Sequence, residues 1–265
     1  MNRSLWTAAS GMRGQQLNID TISNNLANVN TTSYKKQRVE FKDLLYSTIK
    51  RTNLNDNQGR PVNLEVGHGV MPVATTKDFA NGSPVETQNP LDVAIDGGGF
   101  FAVATPNEEI RFTRDGSFKL SVDDGERILT TSEGYYILTE DEDVITVEEG
   151  MTDLNVDQLG NVTARNEDGE IEELGRLAII DFPNPQGLLS DGSNLYKTTE
   201  ATGEPIFVEA DQMKSKVLQG YLESSNVQIV EEMVKMITAQ RAYEINSKSI
   251  QTTDEMMQQA NNLKR

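Results

Sequence analysis

The sequence predicts an α+β protein, with a long helix at each end forming a coiled-coil-like pair and a β-rich central domain between them. Three observations predict it. Apolar residues recur every seventh position near the start and again near the end of the 265 residues. Between those stretches the periodicity drops to two and is punctuated by Asn-Gly and Asp-Gly pairs, the strongest short hairpin signals. Charge follows the same division: residues 1–52 carry 8 Lys/Arg against 3 Asp/Glu, residues 226–265 carry 5 of each, and the middle carries 11 against 33.

The N-terminal helix, residues 1–30, is read in sevens. Leu5, Met12, Ile19 and Leu26 form one row, and Ala8, Gln15, Ile22 and Val29 form the row three residues later. This is an a/d seam, which packs against other helices in a left-handed coil. Gly11 and Gly14 each cost the helix about 1 kcal/mol relative to alanine. Isolated helices are marginal in water. The ends are therefore expected to be loosely ordered in a monomer and to complete their folding on assembly, with the lone Trp6 at a subunit boundary.

The C-terminal helix, residues 225–265, repeats the pattern. Leu222, Ile229, Met236, Tyr243, Ile250 and Met257 fall on one row, supported by Met233. Val230, Val234, Ile237 and Ile245 widen the apolar stripe. Ser225 followed by Gln228 reads as a capping box, and Glu231 and Glu232 suit the positive helix end.

The stretch NNLANVNTTSYKK, residues 24–36, marks a junction. Asparagine tolerates the left-handed conformation that ends a helix, and Thr and Ser compete for backbone hydrogen bonds. Asn25 and Asn28 share a helix face, where contact with a neighbouring subunit is expected. Residues 31–64 form a connector, whose part TNLNDNQGRP reads as an exposed loop. Residues 65–224 form the β-rich domain. LDVAID alternates with Leu91, Val93 and Ile95 on one face, RLAIIDF is a buried strand, and RFTRDGSFKL and NVTARNEDGEIEEL read as hairpins.

Composition removes several function classes. There is no cysteine, and the single histidine, His68, lies between two glycines and reads as a turn residue. IDGGGFF lacks the strand–loop–helix context of a phosphate site. The acidic run Glu140, Asp141, Glu142 and Asp143 reads as solvated surface rather than as opposed catalytic carboxylates. The sequence is therefore read as non-enzymatic, without cofactor or metal. A strongly acidic centre repels nucleic acid phosphates. No apolar run is long enough for a membrane-spanning helix, and the first residues lack the apolar region of a cleaved signal peptide.

At family level the sequence resembles bacterial flagellar basal-body rod and hook proteins, most closely the distal rod members. The N-terminal stretch NNLANVNTTSYKKQ, with Asn24, Asn25, Asn28, Thr31, Tyr34 and Lys35, carries one motif; residues 225–257 carry the C-terminal one. DVAIDGGGFFAV and FTRDGSF resemble the central landmarks, and FKDLLYSTIK with EVGHGVMPVAT resembles the distal rod. The family usually has glycine where this chain has Ser33. The resemblance implies an axial subunit that self-assembles into a helical polymer and transmits motor torque to the hook. It implies proximal rod, hook or hook-side axial neighbours and passage through the flagellar type III export apparatus without a cleaved signal. A proximal rod relative and a secreted β-rich binding module are the alternatives.

Overall fold

The computed structural model describes residues 2–50, 64–107, 109–123, 125–207 and 215–263. The expected loop at residues 52–61 lies outside them. The chain divides into two units, and it passes between them four times. The first comprises Met1–Ala27, Gln37–Lys77 and Gln228–Arg265; the second comprises Asn28–Lys36 and Asp78–Val227.

The first unit holds both helices, α1 (Asn2–Ala27) and α2 (Ile229–Asn262), with two pieces of antiparallel ribbon. Strand Gln37–Asp43 pairs with Val70–Lys77, and Tyr46–Lys50 pairs with Leu64–Gly67. A Cβ on Gly11 would lie 2.8 Å from the Asn246 amide, and one on Gly14 would lie 3.2 Å from the Phe41 ring. The two glycines that weaken α1 thus make room for Asn246 of α2 and for the Phe41 ring of the ribbon. His68 sits at the turn side of the ribbon, with Nδ1 2.8 Å from the Leu45 carbonyl oxygen.

The helices are shorter than the sequence reading. α1 stops at Ala27, and residues 28–30 form a turn, so Val29 leaves the seam. α2 begins at Ile229, and Leu222 lies in strand Tyr221–Glu223 instead of on the helical row. The Ser225–Gln228 capping box does not form. Gln228 takes the N-cap position without a side-chain bond, while Ser225 Oγ accepts from the Val227 N–H at 3.3 Å. Tertiary bonds hold that segment extended: the Asn226 N–H donates to the Tyr34 carbonyl at 3.3 Å.

The second unit is β-rich. Strand Phe100–Ala104 lies at its centre and pairs antiparallel with Ile110–Thr113, Tyr136–Ile137 and Ile179–Asp181. Side chains alternate across a strand. Phe101 and Val103 therefore enter one apolar cluster with Phe118, Ile137, Val162 and Ile179, while Phe100 enters a second. There it meets Phe79, Phe182 and Tyr196 edge to face, with ring centroids 5.4–5.7 Å apart. Val93, Ala94 and Ile95 are all buried, in a strand paired with Lys216–Gln219.

One expected hairpin is absent. The strands flanking Asp115-Gly116 do not pair with each other; Ile110–Thr113 joins Leu195–Lys197, and Lys119–Asp123 joins Glu126–Thr130. Gly116 instead packs under Val93, whose N–H donates to the Gly116 carbonyl at 3.0 Å. A Cβ there would sit 1.6 Å from the Val93 oxygen. The second expected hairpin does form, between Asn161–Arg165 and Ile171–Arg176. The run of residues 140–143 makes a turn in which Glu142 has φ 64° and Glu140 pairs with Arg176 at 3.0 Å.

Candidate assembly surface

α1 and α2 pack side by side within the first unit. Gly11 faces Asn246, and Asn25 donates from Nδ2 to Glu232 Oε2 at 3.1 Å. Moving fourteen residues forward along α1 thus moves fourteen back along α2, so the helices are antiparallel. The buried row of α2 is Glu232, Ala239 and Thr253, three places from the row the heptad pattern marks. On α1, Ala8, Gly14, Thr21, Ile22 and Asn25 are buried. The fully buried positions of the two helices are therefore mostly small or polar residues, Gly14 lying against the Phe41 ring of the ribbon.

That choice leaves the apolar residues partly unused. Leu5, Met12, Ile19 and Leu26 are half-buried, as are Met236, Ile250 and Met257. Tyr243, Ile229 and Met233 are exposed. On α2, Val230, Val234, Ile237 and Ile245 are 76, 56, 50 and 66% exposed. At about 100° per residue these four fall within about 80° of one another. They lie on the face opposite Glu232, Ala239 and Thr253. Trp6 on α1 is 75% exposed. Scattered apolar residues on a surface are ordinary, but apolar residues gathered on one helix face mark an interaction site; exposed Arg241 falls on the same face, between Ile237 and Ile245.

The N-terminal motif divides between the two units. Asn25 is 1% exposed and works inside the first unit, so it is not a neighbour contact. Its Nδ2 also donates to the Gln37 carbonyl at 2.8 Å, and its Oδ1 accepts from the Gln37 N–H at 2.9 Å. Asn24 is exposed; Asn28 and Thr31 are half-buried and bonded to each other at 3.2 Å.

Ser33, Tyr34 and Lys35 belong to a buried cluster in the second unit. Ser33 has φ 54°, a left-handed backbone that glycine adopts without strain. Here serine holds it with two bonds: its N–H donates to the Glu223 carbonyl at 2.8 Å and its Oγ to the Arg114 carbonyl at 2.7 Å. Lys35 Nζ donates to Glu223 Oε1 at 2.7 Å and to the Ala80 carbonyl at 2.8 Å. Arg114 Nε reaches Glu223 Oε2 at 2.9 Å. All three charged side chains are at most 3% exposed. Two buried cations thus share one carboxylate. Burial, and then the Arg114 charge, push the Lys35 ammonium below its ordinary pKa, with Glu223 opposing them.

The glycine cluster serves the same group. Arg114 donates to the carbonyls of Gly97 and Gly99, each at 2.9 Å, and to that of Ile95 at 3.2 Å. Gly97 and Gly99 have φ of 129° and 112°, so their backbones are open only to glycine. IDGGG therefore presents carbonyl oxygens to a guanidinium, the opposite polarity from a phosphate cradle. Glu223 and Arg114 were not singled out from the sequence. The available signal was a charge inside an apolar strand pattern, as in YLE and FTR.

These features describe a structural rather than a catalytic design: terminal helices with an exposed apolar face, joined to a β-rich unit. Three family descriptions match the chain. They are the flagella basal body rod protein over residues 5–35, the flagellar hook protein FlgE/F/G D1 domain over 94–164 and the flagellar basal body rod FlgEFG protein C-terminal region over 218–263. The chain is 47% identical to the flagellar basal-body rod protein FlgG of Borreliella burgdorferi, with 100% of both chains covered. It is 43% identical to FlgG of Buchnera aphidicola subsp. Schizaphis graminum over 98% of this chain and 99% of that one. It is 35% identical to FlgG of Bacillus subtilis over 100% of both. The chain belongs to the flagellar basal-body rod protein family. It is a structural, non-enzymatic subunit of the distal rod of the basal body, which polymerises with itself and adjoins other rod or hook proteins.

Proposed function

We propose that the antiparallel α1–α2 pair of each subunit packs against the pairs of other copies. Together they form a coiled inner layer around the rod axis, and this layer carries motor torque to the hook. The seam residues, Leu5 to Leu26 on α1 and Ile229 to Met257 on α2, are the contacts in this reading. The observation that carries it is the stripe of Val230, Val234, Ile237 and Ile245, left in solvent on the face of α2 that does not meet α1. Burying a side chain of this size contributes about 1.5–3 kcal/mol. A heterologous contact that does not close generates a helical polymer. Packed interiors have low compressibility, which suits a shaft.

The limits of the parts are proposed as residues 1–30 and 225–265 for the inner core, 31–64 for the connector and 65–224 for the β-rich domain. Export of the subunit through the flagellar type III apparatus, without a cleaved signal, is part of the same proposal. It is supported by the absence of cysteine, which leaves no disulfide to lock the chain before passage.

The test is Ile237→Asp in the full-length chain. Ile237 is half in solvent and makes no contribution to the buried row, so the purified monomer keeps its urea midpoint. The variant is expected to fail to polymerise at concentrations where the parent forms rods by electron microscopy, and to leave cells non-motile. Rods of normal length from Ile237→Asp would overturn the proposal.

A further inference from the structure

Four peptide segments join the two units, and inside each unit an asparagine side chain gathers the chain ends that arrive there. In the second unit this is Asn226. Its Oδ1 accepts from the Lys36 N–H at 2.8 Å, and its Nδ2 donates to the Asp78 carbonyl at 2.8 Å and the Ala80 carbonyl at 3.1 Å. The Asp78 N–H donates in turn to the Lys36 carbonyl at 3.0 Å. Asn226 is one residue from the last crossing, Lys36 ends the segment of the second, and Asp78 begins that of the third.

In the first unit the corresponding residue is Asn25, two residues before the end of α1. Its amide holds both backbone groups of Gln37, and it reaches Glu232 in the first turn of α2. Gln37 is the ribbon partner of Lys77, where the third crossing leaves the unit. The amide is suited to this work because it offers a donor and an acceptor at once. Neither alanine nor a carboxylate reproduces both.

We propose that Asn25 and Asn226 are positioning residues that clasp the crossing segments, each within its own unit, so that a load entering either unit is shared among several peptides instead of falling on one. The sharing of load rests on the torque reading above; the clasping does not.

The test compares Asn226→Ala and Asn25→Ala with the parent by amide hydrogen exchange in the full-length monomer. The informative amides bond to backbone and not to the mutated side chain. They are Asp78, bonded to Lys36, and Glu232, bonded to the Gln228 carbonyl at 3.0 Å. Asn226→Ala is expected to speed exchange at Asp78 at least tenfold, and Asn25→Ala to do the same at Glu232. Exchange at core amides such as Ala102 and Leu129 stays unchanged. Changes below twofold at Asp78 and Glu232 would overturn the clasp. So would a loss of core protection equal to the local loss, which would make these residues ordinary contributors to global stability. Should Asn226→Ala unfold, Asn226→Asp, which keeps the acceptor for Lys36, supplies the same comparison with a smaller expected increase. Rods isolated from cells carrying Asn226→Asp are expected in normal number but to fracture under shear at least twice as often. Unchanged fracture would overturn the load sharing alone, and Ile237→Asp reports separately on polymerisation.

Discussion

Replacing Glu223 with glutamine should damage the protein far more than replacing Lys35 with methionine, although the two side chains share one ion pair. Glu223 is 3% exposed and accepts from Lys35 at 2.7 Å, from the Gly82 N–H at 2.7 Å and from Arg114 at 2.9 Å. Without its charge, two cations remain buried side by side, and the glutamine amide turns a donor towards a donor. Leaving an uncompensated buried charge costs about 3–5 kcal/mol. Lys35→Met removes one of two cations and leaves a balanced Arg114–Glu223 pair. The lost charge-assisted bond is offset by relief of a burial that already lowers the Lys35 pKa, so the cost should stay below about 2 kcal/mol. Native domains are stable by about 5–15 kcal/mol, so Glu223→Gln consumes a large fraction. Urea unfolding of the full-length chain, followed by far-ultraviolet circular dichroism, measures both. At about 1–3 kcal/mol per M, Glu223→Gln should lower the midpoint of the β-rich unit by about 1–5 M. A cost for Lys35→Met equal to or above that of Glu223→Gln would refute the argument, because the cluster would then not carry an excess of positive charge.

Two further outcomes are expected. Ser33→Gly removes a left-handed strain of about 1 kcal/mol and forfeits the bond to Arg114, so it should leave the urea midpoint nearly unchanged. Ser33→Ala keeps the strain and loses the bond, and should cost about 1–3 kcal/mol; equal midpoints for the two variants would contradict this. Burial holds the Lys77 pKa at about 8 instead of the ordinary 10.5. Below pH 8 the ammonium is present in both folded and unfolded chains and its burial penalty is in full force. Between about 8 and 10.5 the folded chain releases the proton first, the unfolded chain binds more, and stability rises with pH. The rise should be on the order of 1–3 kcal/mol after screening at this half-buried site. It should be absent from Lys77→Met, and so should appear in the difference between the parent and that variant, measured as urea midpoints from about pH 7.5 to 10.5.

The relatives and the helical ends were legible in the sequence, while the working contacts were not. Heptads marked both helices, alternation marked LDVAID and a short apolar run marked RLAIIDF as strands, because side-chain period and short apolar runs are local features of the sequence. The same heptads misplaced the row of α2 that meets α1. Leu222 and Ser225 continued a pattern that the chain had already abandoned for a strand and an extended segment. Asn25 was legible as part of a motif, but its role was not, since its partners lie at Gln37 and Glu232.

The sequence alone determined that a helix stands at each end, that the middle is extended, and that the ends carry more apolar residues than the buried rows use; it did not determine the helix limits. Tertiary structure decided which face of each helix is spent inside the subunit, that Ser33 carries a left-handed turn, and that Glu223 answers both Lys35 and Arg114. The reason is one of distance along the chain. Periodicity and turn chemistry act within a few residues, whereas Glu223 meets partners 188 and 109 positions away. Only the folded chain brings them within a hydrogen bond.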